Sequence, residues 1–104
     1  MNFQFWVVSP GMILSDEPAV YVEGRYGIRT ENVIQVVPYK ETEYNTFYRF
    51  DMLTLVPIDT RAVDYGLLTP HEVQWLESYN KRVYDTLKDL LDDSERQWLL
   101  TCTK

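Results

Sequence analysis

The 104-residue sequence has little of what disulfide-bonded, zinc-binding and nucleic-acid-binding proteins use. It contains one cysteine, Cys102, and one histidine, His71, which excludes an internal disulfide, a zinc finger and an ordinary Cys/His catalytic pair. Its net charge is −6 and its Lys and Arg residues form no cluster, so a nucleic acid is not expected as a partner. A single cysteine is compatible with a reducing cytoplasm.

Long hydrophobic runs are also absent. The apolar stretch at residues 5–8 is too short for a membrane span or a signal peptide, and no basic region precedes it. We therefore expect no membrane partner and a cytoplasmic location. The sequence does contain 45% hydrophobic and 14% aromatic residues, which is enough apolar material for a single domain over residues 1–104.

Residues 1–66 have the pattern of β structure. Strands are expected at residues 2–8, 12–16, 19–22, 28–37 and 50–56, which are rich in β-branched and aromatic side chains. Residues 23–27, with Gly24 and Gly27, predict the turn of an antiparallel hairpin. The charged residues 40–46, which follow Pro38, predict a mobile loop.

Residues 67–104 have the pattern of an αα-hairpin. Thr69, Pro70 and Glu72 form a capping box with proline at the first helical position, which predicts a helix from there to about residue 91. Asp92 and Glu95 repeat the capping box and predict a second helix over residues 93–102. The first helix has an apolar stripe formed by Val73, Leu76, Tyr79, Val83, Leu87, Leu90 and Leu91, and the second is expected to bury Trp98 and Leu99.

The hairpin turn brings two glutamates to the same level of the predicted sheet. If the chain turns near Gly24, residues whose numbers sum to about 48 or 49 are opposite each other, which sets Glu17 across from Glu31 or its neighbour. The alternation of side chains adds Tyr21 and Arg29 to the same face. A divalent cation would relieve the repulsion between the carboxylates. Spacing alone, however, favours a solvated polar face on which Arg29 pairs with them.

The sequence motifs that contain these residues favour the metal site. The segments PGMILSDEP at residues 10–18 and GIRTEN at residues 27–32 resemble the end of the catalytic domain of Xaa-Pro aminopeptidases, the aminopeptidase P group of M24 metallopeptidases. The resemblance continues through TLVPID at residues 54–59 and LLT at residues 67–69 to the helices, and covers about residues 9–104. It implies an α+β fold: part of a pita-bread catalytic domain, with an antiparallel hairpin and sheet followed by the αα-hairpin.

The resemblance also implies roles for four residues. Glu17 matches a ligand of one metal that lies near the attacking water, and Glu31 matches a ligand that bridges two metals. Tyr21 and Arg29 match positions that hydrogen-bond around the site and assist catalysis. The implied cofactors are two divalent metal ions, and oxygen ligands suit Mn²⁺. The implied substrate is a peptide with proline at its second position, hydrolysed at the Xaa-Pro bond.

The sequence departs from the family pattern in two minor ways and one major way. Ala19 replaces the usual glycine, and Thr30 replaces a usual isoleucine or valine. The family's site also uses two aspartates and a histidine from an upstream segment, and His71 is expected to be a surface residue. We therefore expect this chain to be inactive alone and to need the upstream chain or self-association. The alternative is a non-catalytic binding or assembly module that keeps the scaffold.

Overall fold

The computed structural model describes residues 7–104. Within this range the chain forms five antiparallel strands and two α-helices, so the predicted α+β class is confirmed. The elements are β1 (Ile13–Asp16), β2 (Ala19–Val22), β3 (Tyr26–Arg29), β4 (Asn32–Glu41), β5 (Thr46–Met52), α1 (Pro70–Leu87) and α2 (Asp93–Cys102). Most of the strand predicted at residues 2–8 lies outside the described residues, and Val7 and Val8 are not in a strand.

The chain divides into two compact units, Met1–Thr54 and Leu55–Lys104. The first unit contains the strands and the second contains the helices. The sequence placed the end of the β-rich part at residue 66. The assignment of residues 1–104 to one domain remains a prediction.

The first unit is built from two small antiparallel sheets. One has the order β1-β4-β5, and the other pairs β2 with β3. Asn32, Ile34 and Val36 of β4 are buried at alternate positions, so one face of the central strand forms the core of this unit. The strand predicted over residues 28–37 is in fact two strands, because the chain leaves the β2 ladder after Arg29 and joins β1 at Asn32.

Proline did not end β4 where the sequence predicted. The strand passes through Pro38 and continues to Glu41, with a bulge between Pro38 and Lys40. The last backbone hydrogen bonds from the β1 side reach Val36, so the missing N–H of Pro38 interrupts no bond on that side. Proline is tolerated at such a bulge.

The predicted loop at residues 40–46 is mostly a tight turn. The Thr42 hydroxyl accepts hydrogen bonds from the backbone N–H groups of Tyr44 and Asn45, and Thr42 N–H donates to the Asn45 carbonyl at 2.8 Å. These local bonds close the hairpin, so β5 begins at Thr46 and not at residue 50. The prediction that this strand extends to residue 56 was wrong.

Both helix starts in the second unit are confirmed. Thr69 and Asp92 each cap a helix, and both capping boxes are complete. The first helix is shorter than predicted, because α1 ends at Leu87 and a 3₁₀ turn, Lys88–Leu90, follows. Arg96 of α2 stabilises this end by donating to the carbonyls of Lys88 and Leu91, at 2.8 Å and 3.1 Å.

The core of the second unit holds an extended segment against α1. Leu76, Tyr79, Asn80 and Val83 of α1 are buried. The Asn80 side-chain amide accepts from Ile58 N–H at 3.0 Å and donates to the Ile58 carbonyl at 3.2 Å. The Tyr79 hydroxyl donates to the carbonyl of Val56 at 2.9 Å, and burial raises its pKa. The two side chains therefore replace the backbone partners that residues 56–58 would have in a sheet.

The predicted burial of Trp98 is wrong. Leu99 is only 2% exposed, whereas Trp98 is 65% exposed. Adjacent residues in a helix point about 100° apart, so a short helix with a narrow apolar side cannot bury both. Trp98 instead lines an open depression together with Val56, Pro57 and Arg61.

Candidate functional site

The candidate site lies where β2 and β3 meet β1 and β4. The β2–β3 ladder pairs Ala19 with Arg29, and the β1–β4 ladder pairs Asp16 with Asn32. The numbers in each pair sum to 48, so both ladders share one register. The Thr30 N–H donates to the Pro18 carbonyl at 3.2 Å in the same register. In this register residues 17 and 31 are opposite each other in the gap between the ladders, which is one of the two registers that the sequence allowed.

The turn at Gly24 sets this register. Arg25 N–H donates to the Val22 carbonyl at 3.0 Å, and Gly24 has a φ of +69°. A positive φ at the third residue alone is the geometry of a type II turn, which favours glycine at that position. The turn at residue 24 thus determines which residue lies opposite Glu17, although Glu17 is seven positions before the turn.

Arg29 connects two of the other candidate residues. Its Nε lies 3.1 Å from Oε2 of Glu31, and its Nη1 donates to the Tyr21 hydroxyl at 3.5 Å, which is at the long end of the hydrogen-bond range. The Tyr21 hydroxyl and then the Glu31 carboxylate raise the pKa of Arg29, and Glu17 adds to this effect. The structure therefore brings Tyr21, Arg29 and Glu31 into one chain of contacts, with the charge of Glu17 close enough to act on Arg29.

Glu17 has a partner that the sequence reasoning missed. The Ser15 hydroxyl donates to Oε1 of Glu17 at 2.9 Å. Residues two apart in a strand are on the same face, so the alternation that selected Tyr21 could also have selected Ser15. A hydroxyl that donates to a carboxylate restricts its rotation, and in this way Ser15 orients Glu17.

The exposure of this cluster argues against a structural role. Glu17, Tyr21, Arg29 and Glu31 are all exposed. The side chains of Arg29 and Glu31 are 49% and 40% exposed, and ion pairs of this kind add little stability. The contacts therefore fix the directions of the side chains more than they hold the hairpin together.

The carboxylates alone do not complete a metal site. In residues 7–104 no group of three or more His, Cys, Asp and Glu side chains could hold a metal ion. Glu17 and Glu31 supply up to four oxygen atoms, which is the donor chemistry that Mn²⁺ or Mg²⁺ prefers. Hard divalent ions take about six ligands, so the donor set fits such an ion only as part of a larger site.

Several acidic residues outside the hairpin have structural partners. Asp59 accepts hydrogen bonds from the side chain and from the backbone N–H of Arg61, which lower the Asp59 pKa to about 2. Asp59 therefore bonds its own turn. Asp92 caps α2, as predicted. His71 is exposed in the first turn of α1.

Comparison with known proteins identifies the family. A family model described as the C-terminal region of peptidase_M24 matches residues 46–104, which is more than half of the chain. The chain belongs to this family. The resemblance to the C-terminal part of a Xaa-Pro aminopeptidase, stated above from the sequence, is confirmed.

Individual relatives extend the similarity to the candidate hairpin. Aminopeptidase P1 of Lotus japonicus is 39% identical over 89% of this chain and 15% of its own length. Aminopeptidase P2 of Arabidopsis thaliana is 38% identical over 100% of this chain and 16% of its own length. The chain thus spans about a sixth of the length of these relatives.

A solved structure matches the fold. X-prolyl aminopeptidase from Caenorhabditis elegans, described as a cytosolic enzyme with a di-nuclear active site, superimposes with a TM-score of 0.81 and 33% identity. The match covers 93% of this chain and 17% of the nematode enzyme. The predicted assignment to part of a pita-bread domain is confirmed.

Among the residues that the structure describes for this chain, no helix is both long enough and apolar enough to cross a membrane.

Proposed function

We propose that this M24 chain forms part of the two-metal centre of a Xaa-Pro aminopeptidase, which hydrolyses the bond between an N-terminal residue and a following proline. The observation that carries the proposal is the shared register of the two ladders, which sets Glu17 and Glu31 opposite each other beside Arg29. Two carboxylates from facing strands are a suitable pair of ligands for neighbouring metal ions.

Each residue of the cluster has a separate task in this proposal. Glu31 would provide the carboxylate shared between the two metals, and Glu17 would provide a ligand to one of them. Two bound divalent ions would activate the attacking water and polarise the peptide carbonyl. Arg29 holds Oε2 of Glu31 through its Nε, and Ser15 holds Oε1 of Glu17, so both carboxylates are oriented before a metal binds.

The rest of the site must come from outside this chain. The described residues lack a third ligand near the pair, and the M24 relatives are about six times longer. The proposed enzyme therefore needs the remaining part of the catalytic domain to supply further ligands and the binding site for the peptide. We place the proposed enzyme in the cytosol with Mn²⁺ as its metal; the nematode structure is described as cytosolic and di-nuclear.

The test is a chimera in which the matching segment of Lotus japonicus aminopeptidase P1 is replaced by this chain. The chimera is expected to cleave an Xaa-Pro peptide. Glu17→Gln and Glu31→Gln should each lower kcat by more than the 10–100-fold that is typical of outer-shell partners. Glu23→Gln is the matched control, because Glu23 is an exposed glutamate in the turn of the same hairpin. Equal activity of the Glu31→Gln and Glu23→Gln chimeras would contradict the proposal.

An exposed apolar face favours the second candidate function, a non-catalytic binding or assembly module. Val20, Tyr26 and Ile28 are 62%, 59% and 61% exposed and line a shallow depression on the hairpin. A patch of this kind is typical of a surface that another protein covers. A stable oligomer of this chain whose assembly survives Glu17→Gln and Glu31→Gln, together with an inactive chimera, would select the module. Light scattering of the purified chain measures the first outcome.

A further inference from the structure

Gly27 lies directly beneath the ring of Tyr21. The two residues are paired across the β2–β3 ladder. A Cβ added to Gly27 would be 2.6 Å from Cδ1 and 3.1 Å from Cε1 of Tyr21, and the first distance is shorter than real Cβ contacts allow. The ring therefore occupies the space that a side chain at residue 27 would need.

The backbone of residue 27 does not itself require glycine. Among the described glycines a positive φ occurs at Gly11 and Gly24, and Gly27 is not one of them. Glycine inside a strand is unfavourable relative to alanine, because it loses more conformational freedom on folding. The close approach of the Tyr21 ring is thus the reason that the structure provides for glycine here.

The position of the ring determines where its hydroxyl lies. Tyr21 is 68% exposed, so its orientation depends on the Gly27 contact and on Arg29. Arg29 Nη1 reaches the Tyr21 hydroxyl at 3.5 Å while its Nε reaches Glu31 at 3.1 Å. A ring displaced by a methyl group would move its hydroxyl away from Arg29 and leave the guanidinium with one anchor in place of two.

We propose that Gly27 is a positioning residue: its missing side chain lets Tyr21 lie across the hairpin and hold Arg29 against Glu31. The effect on catalysis rests on the proposed function, whereas the positioning itself is a property of the 104-residue chain. Gly27 has no side chain of its own, and in this proposal it acts through Tyr21. The hairpin should survive Gly27→Ala, because the exposed ring is free to move and alanine is the better strand residue.

NMR of the full 104-residue chain tests the positioning. The ring should shift the Gly27 Hα resonances upfield, and this shift should persist in Tyr21→Phe and disappear in Tyr21→Leu. The Arg29 Nε–H resonance should change in Gly27→Ala and in Tyr21→Leu to a similar extent. The proposal would be overturned if the Gly27 Hα shifts in Tyr21→Leu were the same as in the unchanged chain. It would also be overturned if the Arg29 Nε–H resonance were unchanged in Gly27→Ala.

A double-substitution cycle separates positioning from a structural role. Gly27→Ala should lower kcat of the chimera about 10-fold with little change in KM, as expected for a group that orients a ligand. In a Tyr21→Leu background the same substitution should have no further effect, because no ring remains to be displaced. Equal losses in both backgrounds would show that Gly27 acts independently of Tyr21. The NMR result decides the positioning even in an inactive chimera, so its failure is distinguishable from failure of the proposed function.

Discussion

Asn80→Ala should destabilise the second unit by removing both hydrogen bonds that hold residue 58. Asn80 is 2% exposed, and its amide bonds both the N–H and the carbonyl of Ile58. A hydrogen bond contributes about 0.5–1.5 kcal/mol net, so the two together should contribute about 1–3 kcal/mol. Because the backbone of Ile58 is only partly buried, water can replace some of what is lost, and we expect about 2 kcal/mol.

Tyr79→Phe provides a graded comparison. It removes one hydrogen bond, from the Tyr79 hydroxyl to the Val56 carbonyl, and should destabilise the same unit by about 1 kcal/mol. The double variant should cost less than the sum, because both side chains hold the same extended segment. Gln74→Ala, at an exposed position of the same helix, is the control and should change stability by less than about 0.5 kcal/mol.

Urea denaturation followed by tryptophan fluorescence measures these differences. Trp75 and Trp98 both belong to the second unit, and Trp6→Phe in every variant would restrict the emission to them. The unfolding midpoints should shift at an unchanged m-value. An Asn80→Ala midpoint indistinguishable from that of Gln74→Ala would refute the conclusion that Asn80 holds the 56–58 segment.

Three further substitutions have defined outcomes. Gly24→Ala should destabilise the hairpin by about 1 kcal/mol, because its φ of +69° strains an L-residue, and thermal melts should show no such loss for Glu23→Ala. Arg96→Ala should cost about 1–2 kcal/mol in urea, because two carbonyls at the end of the first helix lose their donors, and a cost equal to that of Lys81→Ala would contradict this. Since Arg61 lowers the Asp59 pKa from its usual 3.8 to about 2, the stabilisation from Asp59 is present above about pH 4 and is lost as the pH falls through 2. In Asp59→Asn the melting temperature should depend less on pH across this range than in the unchanged chain. The same pH dependence in both proteins would contradict the expectation.

Local chemistry explains which elements the sequence could predict. Both helices begin where the sequence predicted, because all the residues of a capping box lie within four positions of the chain. The end of α1 was placed four residues too late, since Leu90 and Leu91 keep the apolar spacing although Leu90 is 79% exposed. Apolar residues at helical spacing are compatible with a helix. Whether their side chains are buried depends on what packs against that helix.

The strands show the same division between local and distant causes. The turn at Gly24 is encoded locally, and both ladders have a register that the sequence predicted from it. The course of β4 through Pro38 depends on where the β1 ladder ends, which only the assembled sheet determines. The contact of Gly27 with Tyr21 has a signal in the sequence, a glycine inside a strand pattern, but that signal does not specify what approaches the glycine.

The metal content of the chimera tests the central claim most directly, namely that Glu17 and Glu31 are ligands of one two-metal centre. Inductively coupled plasma mass spectrometry after dialysis with Mn²⁺ should find two metal ions per chain in the unchanged chimera and in the Glu23→Gln control. Removal of the shared carboxylate by Glu31→Gln should reduce the content to one ion or none. Two retained ions per chain in Glu31→Gln, with the fold intact, would contradict the claim.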